Sequence, residues 1–199
     1  MSAPIVNAVV LAAGRSRRMG RPKPLLPVDD ESFLQRVIRV LQEGGCRAVI
    51  VVARAGDDDV VRQAEEAGAK VVVNPRSDGE QIESLRVGLS EIEDDAVAVL
   101  VQPVDHPLVT VETVGAVLEA FRRTGAPIVC PVYRGVPGHP GLFARRVLSE
   151  LSEPDLPHGA RSVIERHRDE VVEVPVRDAG VIANVDTPDD FRRLVSGAC

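Results

Sequence analysis

The sequence predicts an α/β protein, a three-layer α/β/α sandwich around a mainly parallel, twisted sheet. The first observation behind this is alternation. Short apolar runs rich in Val and Ala recur along the chain, separated by longer segments of helical character. Strand alternating with helix makes right-handed βαβ units around a parallel sheet. The second observation is composition. Apolar residues make up 44%, aromatics only 3%, and there is no Trp. That suits a core of β-branched strands packed on Ala/Leu helices. At 199 residues the chain fits one domain, 1–199, able to bury about 70% of its unfolded surface. It has no repeats, low-complexity tracts or linkers.

Taken in order, the apolar run Ile5 to Leu11 predicts a buried first strand over Asn7–Leu11. Ser32 to Glu43 predicts a helix: Ser32 caps it, and Phe33, Val37, Val40 and Leu41 share one side. Strands come next at Ala48–Ala53 and Lys70–Val73, with a helix over Asp57–Ala67 between them. The three aspartates opening that helix favour its N-terminus. Helix Gln81–Ile92, strand Val97–Val101, helix Thr110–Arg123 and strand Pro127–Pro131 continue the alternation. Residues 132–157 differ. Gly135, Pro137, Gly138, Pro140 and Gly141 fall within seven residues, which predicts loop or hairpin, an insertion in the main pattern. Strand-like pieces at Val171–Val174 and Val181–Ala183 close the core, and Thr187–Val195 predicts a last helix.

The stretch Leu11 to Pro27 is the most informative. Arg15, Arg17, Arg18, Arg21 and Lys23 place five cations within nine residues, just after the first strand. Glycines and small residues separate them, not the apolar spacing of a helix. Gly14 lets backbone approach a phosphate, and Arg and Lys neutralise phosphoryl oxygens. Ligands of parallel sheets sit beyond the strands' carboxyl ends, where this loop leaves. It is not a P-loop: five residues separate Gly14 from Gly20, and Pro24 comes after Lys23. It is not a dinucleotide fingerprint, because Ser16 stands where the second glycine belongs. A net charge of −6 and the scarcity of aromatics exclude generic nucleic-acid binding. No run reaches transmembrane length, so no membrane association is expected. Ile5 to Ala13 is too short for a signal peptide and lacks a basic start. Cys46, Cys130 and Cys199 have no metal-ligand spacing and suggest buried or terminal thiols in a reduced, cytoplasmic setting.

Leu11, Ala12, Gly14, Ser16, Arg18, Met19, Gly20, Lys23, Leu25 and Leu26 together make this loop resemble the signature of nucleotidyltransferases with a glycosyltransferase-A-like fold. Within these it is most similar to the molybdopterin nucleotidyltransferases. The resemblance extends to Val104-Asp105-His106-Pro107, similar to the family's D-x-P metal motif. It extends also to Asn184-Val185-Asp186-Thr187-Pro188, similar to D-x-D-T-P with Asn184 replacing the first Asp. Residues 79–89 resemble a segment along the base and ribose. Gly138-His139-Pro140 and Gly159-Ala160-Arg161 resemble acceptor-side elements.

The resemblance implies an Mg²⁺-dependent transfer of a nucleotidyl group. Lys23 would contact the α-phosphate, with Arg18 and Asp105 completing the catalytic set. Leu11, Ala12, Ala13, Gly14, Arg15, Ser16, Lys23 and Ser84 would bind the nucleotide. Asp105 and Asp186 would hold Mg²⁺, oriented by Asn184. Such a metal wants one or two carboxylates plus substrate phosphates and water. His139 and Arg161 would bind a molybdopterin-type acceptor, and a molybdoenzyme or chaperone would receive the product. From the residues alone, Asp105 also fits a turn aspartate and Asp186 a helix start. His106 is a pocket-wall candidate, Arg86 an acceptor-side or structural cation, and His158 and His167 surface residues. Ala13 favours CTP: guanylyl-transferring relatives have glycine there, and a methyl narrows the space for a purine edge. The alternatives are a guanylyltransferase, a sugar- or alcohol-phosphate nucleotidyltransferase of the same fold, and a non-catalytic nucleotide-binding or cofactor-delivery module.

Overall fold

The structure of the protein is a computed structural model that describes residues 4–14, 16, 19–76 and 80–196. Its strands are β1 (Val6–Leu11), β2 (Pro27–Val28), β3 (Glu31–Ser32), β4 (Val49–Arg54), β5 (Lys70–Asn74), β6 (Ala98–Pro103), β7 (Ile128–Tyr133), β8 (Val136–Pro137), β9 (Gly141–Ala144) and β10 (Val171–Pro175). The helices are α1 (Phe33–Glu43), α2 (Asp58–Glu66), α3 (Gln81–Leu89), α4 (Val111–Thr124), α5 (Arg145–Leu151), α6 (Ala160–Arg166) and α7 (Pro188–Phe191). The main sheet runs β10-β7-β9-β6-β1-β4-β5, with β8 also paired to β7. β2 and β3 form a separate small hairpin.

The central strand β1 shows why the protein is layered. Every residue of it is buried. Val6, Ala8 and Val10 face one core, shared with Phe33 and Ile38 of α1, Val60 of α2, and Val114 and Leu118 of α4. Val9 and Leu11 face a second core, shared with Ile82 and Leu85 of α3, Leu151 of α5 and Val163 of α6. Side chains alternate across a strand, so one run of consecutive apolar residues serves both faces.

Helix starts obey local chemistry. Ser32 Oγ accepts from Gln35 N while Gln35 Oε1 accepts from Ser32 N, a reciprocal cap. Thr110 Oγ1 accepts from Thr113 N at the start of α4, and Gly125 ends that helix at φ +60. α3 lies unusually close to the sheet at Gly88. A Cβ there would stand 2.5 Å from Val9 Cγ1 and 2.9 Å from Val52 Cγ2.

Four of the sheet pairings, β10–β7, β6–β1, β1–β4 and β4–β5, are parallel. The exception falls in 132–157, expected as loop or hairpin. A tight turn at Arg134 (φ +49) and Gly135 (φ +81) does return the chain as β8 against the end of β7. Gly141–Ala144 then enters the middle of the sheet, antiparallel to both β6 and β7. Four residues flanked by glycine and proline carry too little alternation to announce a central strand. Val181–Ala183, expected as a strand, is the end of a 3₁₀ turn, Ala179–Ile182, capped by Asp178. The last helix is regular only over Pro188–Phe191 and widens into a π-helical turn, Arg192–Ser196. Among the described residues no helix is long and apolar enough to cross a membrane.

Candidate active site

β1 and β6 lie side by side with Leu11 opposite Pro103, so the loops that leave them start together. Past β1, Ala12 N donates to Val52 O at 3.0 Å, which carries the chain on beside β4. The loop then turns at Ser16, whose φ is +48. Ser16 Oγ accepts from Lys23 N at 2.9 Å, and its carbonyl accepts from Met19 N. The hydroxyl thus closes the loop on itself. Lys23 opens a 3₁₀ turn, Lys23–Leu25, whose Pro24 is buried; Leu26 beyond it is buried too. That anchorage holds the lysine at a fixed place above the sheet.

Past β6, Val104 N donates to Leu11 O, and His106 N turns back to Pro103 O. Gln102, fully inside, braces this turn: Nε2 donates to the carbonyls of Pro103 and His106 at 3.1 and 3.0 Å. Asp105 is held between them. Its own carbonyl accepts from Val185 N at 2.9 Å, which brings the 184–187 segment alongside. The lysine and two carboxylates then meet. Lys23 Nζ donates to Asp105 Oδ2 at 3.2 Å and to Asp186 Oδ1 at 2.5 Å. Asn184 Nδ2 donates to Asp186 Oδ2 at 3.1 Å, the orienting contact expected of it.

Asp105 Oδ1 is buried and, among the described residues, has no hydrogen-bond partner. A buried carboxylate oxygen without a donor is costly and calls for a cation. Among the described residues no group of three or more His, Cys, Asp and Glu is arranged to hold a metal ion. Two carboxylates beside a polyanion loop fit a hard divalent ion that takes its remaining ligands from phosphates and water.

A cavity of about 1030 Å³ opens next to this cluster. Leu11, His106, His139, Asn184 and Arg161 all line it. Its walls are otherwise largely apolar, including Ile82, Ile128, Phe143 and Ile164. The His106 and His139 rings meet edge-on with centroids 4.7 Å apart. Burial pushes the His139 imidazole down to about 4, helped by His106 and opposed by Asp105. Burial also lowers His106, against Asp105, the Gly180 backbone and Asp186, which raise it, and Lys23, which adds to the lowering. His139 therefore meets a ligand as a neutral imidazole rather than a cation. Arg161 is exposed on α6 and pairs with Glu165 at 3.0 Å.

Other expected residues fall elsewhere. Ser84 is buried in α3 and accepts from Asn74 Nδ2 at 3.0 Å, away from the cavity lining. The Ala13 methyl is 4% exposed and packs in the core layer of Ile82 and Leu85. Arg86 is structural: its guanidinium donates to the carbonyls of Leu151 and Glu153, tying α3 to the end of α5. His158 is exposed, but His167 is half-buried and bridges Glu150 and Glu170. Burial pushes the Cys46 thiol up to about 12 and Cys130 to about 11, so neither is a thiolate at neutral pH. Arg15, Arg17, Arg18, Gly79 and Cys199 lie outside the described residues. Gln102 belongs to no motif singled out in the sequence, although a glutamine ending an otherwise apolar strand is a visible signal.

A mostly parallel sheet with two reversed strands, β8 and β9, and a Lys–Asp–Asp cluster at the carboxyl ends of its central strands, define an α/β nucleotidyltransferase of glycosyltransferase-A-like fold. The chain belongs to the family of MobA-like NTP transferase domains, whose model matches residues 8–171. It is 24% identical over 187 residues to the molybdenum cofactor cytidylyltransferase of Escherichia coli K12, covering 94% of this chain and 93% of that protein. It is 29% identical over 201 residues to a probable molybdenum cofactor guanylyltransferase of Opitutus terrae, covering 96% of each. It is 38% identical over 133 residues to 2-C-methyl-D-erythritol 4-phosphate cytidylyltransferase of Saccharopolyspora erythraea, covering 64% of this chain and 59% of that one. The crystal structure of Rv0371c from Mycobacterium tuberculosis H37Rv superposes with a TM-score of 0.85 at 31% identity, covering 98% of this chain and all of that one. A structure of Rv0371c in complex with manganese superposes at 0.79 and 28% identity, covering 98% of this chain and 100% of that chain.

Proposed function

We propose that this nucleotidyltransferase transfers CMP from CTP to a molybdopterin-type acceptor and releases pyrophosphate. The observation that carries the reading is the Lys23–Asp105–Asp186 cluster beside a cavity of about 1030 Å³. An oxygen of the acceptor phosphate attacks the α-phosphorus of the nucleotide in line. The new P–O bond forms as the bond to the β-phosphate oxygen breaks, and pyrophosphate carries away the electron pair. Little covalent work falls to the protein; positioning and charge neutralisation are its task.

Leu11, Ala12, Gly14 and Ser16 form the floor and rim for the triphosphate, with Gly14 leaving open space among the described residues where a Cβ would stand, and Arg15, outside the described residues, would bind it too. Lys23, with Arg18, neutralises the α-phosphoryl oxygens as charge builds there. Asp105 and Asp186 would hold Mg²⁺, which would neutralise phosphate oxygens and polarise the phosphorus. His139 and Arg161 face the acceptor, the first as a neutral hydrogen-bonding ring and the second as an exposed cation. The Ala13 methyl is packed in the core and does not line a base site, so CTP is favoured by the similarity to cytidylyltransferases alone. This reading takes 1–199 as one domain in a cytoplasmic setting, with 132–157 on the acceptor side.

The similarity to 2-C-methyl-D-erythritol 4-phosphate cytidylyltransferases supports a second reading, in which the acceptor is a small sugar-alcohol phosphate. The cavity is roomier than such a molecule requires, which favours the bulky heterocycle. Pyrophosphate release distinguishes them. Each of the four NTPs is crossed with molybdopterin and with a panel of sugar and alcohol phosphates. Turnover with CTP and molybdopterin is expected; turnover only with a small alcohol phosphate, or preference for GTP, overturns the assignment.

A further inference from the structure

Asp178 stands outside the cluster, yet the structure stitches the cluster together through it. Its Oδ2 accepts from Thr110 N at 2.9 Å and from Thr113 Oγ1 at 2.7 Å, both in the first turn of α4. Its Oδ1 accepts from Gly180 N at 2.8 Å and starts the 3₁₀ turn Ala179–Ile182. One carboxylate therefore fastens two segments that are 68 positions apart.

The chain beyond Asp178 is held equally closely. Gly180 lies against the chain at Leu108, where a Cβ would stand 2.2 Å from the Leu108 carbonyl oxygen. Val181 O accepts from His139 N at 2.8 Å. Val185 N donates to Asp105 O at 2.9 Å, one residue before Asp186. Residues 178–185 are thus laid along the β6–α4 connection, which carries Asp105, and fixed to it at both ends. The near end depends on the Asp178 side chain; the far end places Asp186 beside Lys23. Along the way Val181, Ile182 and Asn184 form part of the cavity wall.

We infer that Asp178 is the positioning residue for the carboxylate pair: by clamping the 178–185 segment to α4 it sets where Asp186 stands relative to Asp105. The inference rests on the reading of Asp105 and Asp186 as the metal-holding pair. A carboxylate is needed because three donors converge on its two oxygens. An amide in its place turns an N–H₂ toward at least one of those donors. Losing a bond in such a clamp misplaces Asp186 by a fraction of an ångström, and metal sites tolerate little of that.

The test is Mn²⁺ binding, measured by electron paramagnetic resonance at saturating CTP, on Asp178→Asn and on Thr113→Val, which removes one of the three bonds. Asp178→Asn is expected to weaken Mn²⁺ binding about tenfold, the lower end for loss of a group supporting a metal ligand. Thr113→Val shifts it in the same direction by less. In steady state the metal concentration for half-maximal rate rises for both, while kcat at saturating metal stays within about threefold of wild type. If either folded variant loses thermal stability while Mn²⁺ affinity stays within about twofold, Asp178 is a structural brace only and the inference falls. If Asp178→Asn does not fold, Thr113→Val alone decides by the same criterion. Asp105→Asn and Asp186→Asn are run beside them. Should those two keep wild-type Mn²⁺ affinity, the reading of the pair is wrong, whatever Asp178 does.

Discussion

Around Lys23 the polar contacts join charged groups of the chain to one another, and three residues from distant parts of the sequence converge on one point. In the adjoining cavity apolar walls predominate, with Glu80, Arg168 and Glu173 also lining it; His139 is held neutral, and Arg161 faces water paired with Glu165. The cluster is defined by charge and the cavity by shape. Charge placed this tightly suits one chemistry, the handling of phosphate and a hard cation. A large cavity with mainly apolar walls and scattered polar groups accommodates many molecules of suitable size. Three relatives named for nucleotidyl transfer fit the same division: two name the molybdenum cofactor and one names 2-C-methyl-D-erythritol 4-phosphate.

The sharpest way to break this comparison is to remove charge from the cluster. Lys23→Ala and Asp105→Asn are each expected to lower kcat by roughly 10²–10³, the scale of losing one preorganised electrostatic group. Nucleotide and acceptor KM should move far less. If both variants turn over near the wild-type rate, the cluster is structural. Lys23 also sits where a cation would bridge the two carboxylates. Lys23→Met should therefore bind Mn²⁺ more tightly than wild type when no nucleotide is present, although it is nearly inactive.

Two glycines of the nucleotide region separate binding from packing. Among the described residues a Cβ on Gly14 meets nothing within 4 Å, so Gly14→Ala should leave thermal stability unchanged and weaken nucleotide binding. At Gly88 the same methyl collides with Val9 and Val52. Gly88→Ala should cost about 1–3 kcal/mol by overpacking, partly offset by its helix preference of about 1 kcal/mol. Chemical denaturation and nucleotide titration of both proteins check this. The idea of an open cradle at Gly14 fails if Gly14→Ala binds nucleotide normally.

What is legible in the sequence divides along the same line. The strand-end loop, Asp105 after β6 and Asp186 before the last helix are each visible locally, because strand ends and helix caps have sequence signals. Their meeting at Lys23 comes from topology, since parallel strands put their carboxyl ends on one side of the sheet. The cavity has no such route. β9 is a four-residue strand between a cis proline bond and a helix, with too few positions to show a period. Within the 178–186 segment, Val181–Ala183 reads as strand because its residues are apolar. The side chain of Asp178, capturing a distant helix start, overrides that propensity. Ser84 carries the motif's expectation of a base contact, but its hydroxyl is taken by Asn74, a partner ten positions away that no motif displays.

Arg161 tests whether the cavity uses charge at all. Arg161→Ala is expected to raise the KM for a phosphorylated acceptor about tenfold, the value of one charge-assisted hydrogen bond of about 1.5 kcal/mol. The nucleotide KM should be unchanged. A shift in nucleotide KM instead would move Arg161, and the wall that carries it, to the triphosphate side.

The smallest effect concerns how that wall is held. His167 ends α6 and bridges Glu150 of α5 at 2.8 Å and Glu170 at 3.1 Å. Its hydrogen bonds to Glu150 and then Glu170 raise its imidazole above the ordinary value of 6.5. A raised folded-state value means the bridge contributes fully below the unfolded value near 6.5. The contribution is lost as pH rises through the folded value. The pair is partly solvated, so the contribution is under about 1 kcal/mol. Glu150→Gln removes the charge that favours the imidazolium. The stability gap between wild type and Glu150→Gln should be widest near pH 6 and shrink by about pH 9. A constant remainder belongs to the Arg166–Glu150 contact at 3.6 Å, which does not titrate in that window. A gap that stays flat across that range would show that Glu150 does not favour the His167 imidazolium. The α6 wall of the cavity would then be fastened to α5 by packing and by the ion pairs of Arg166.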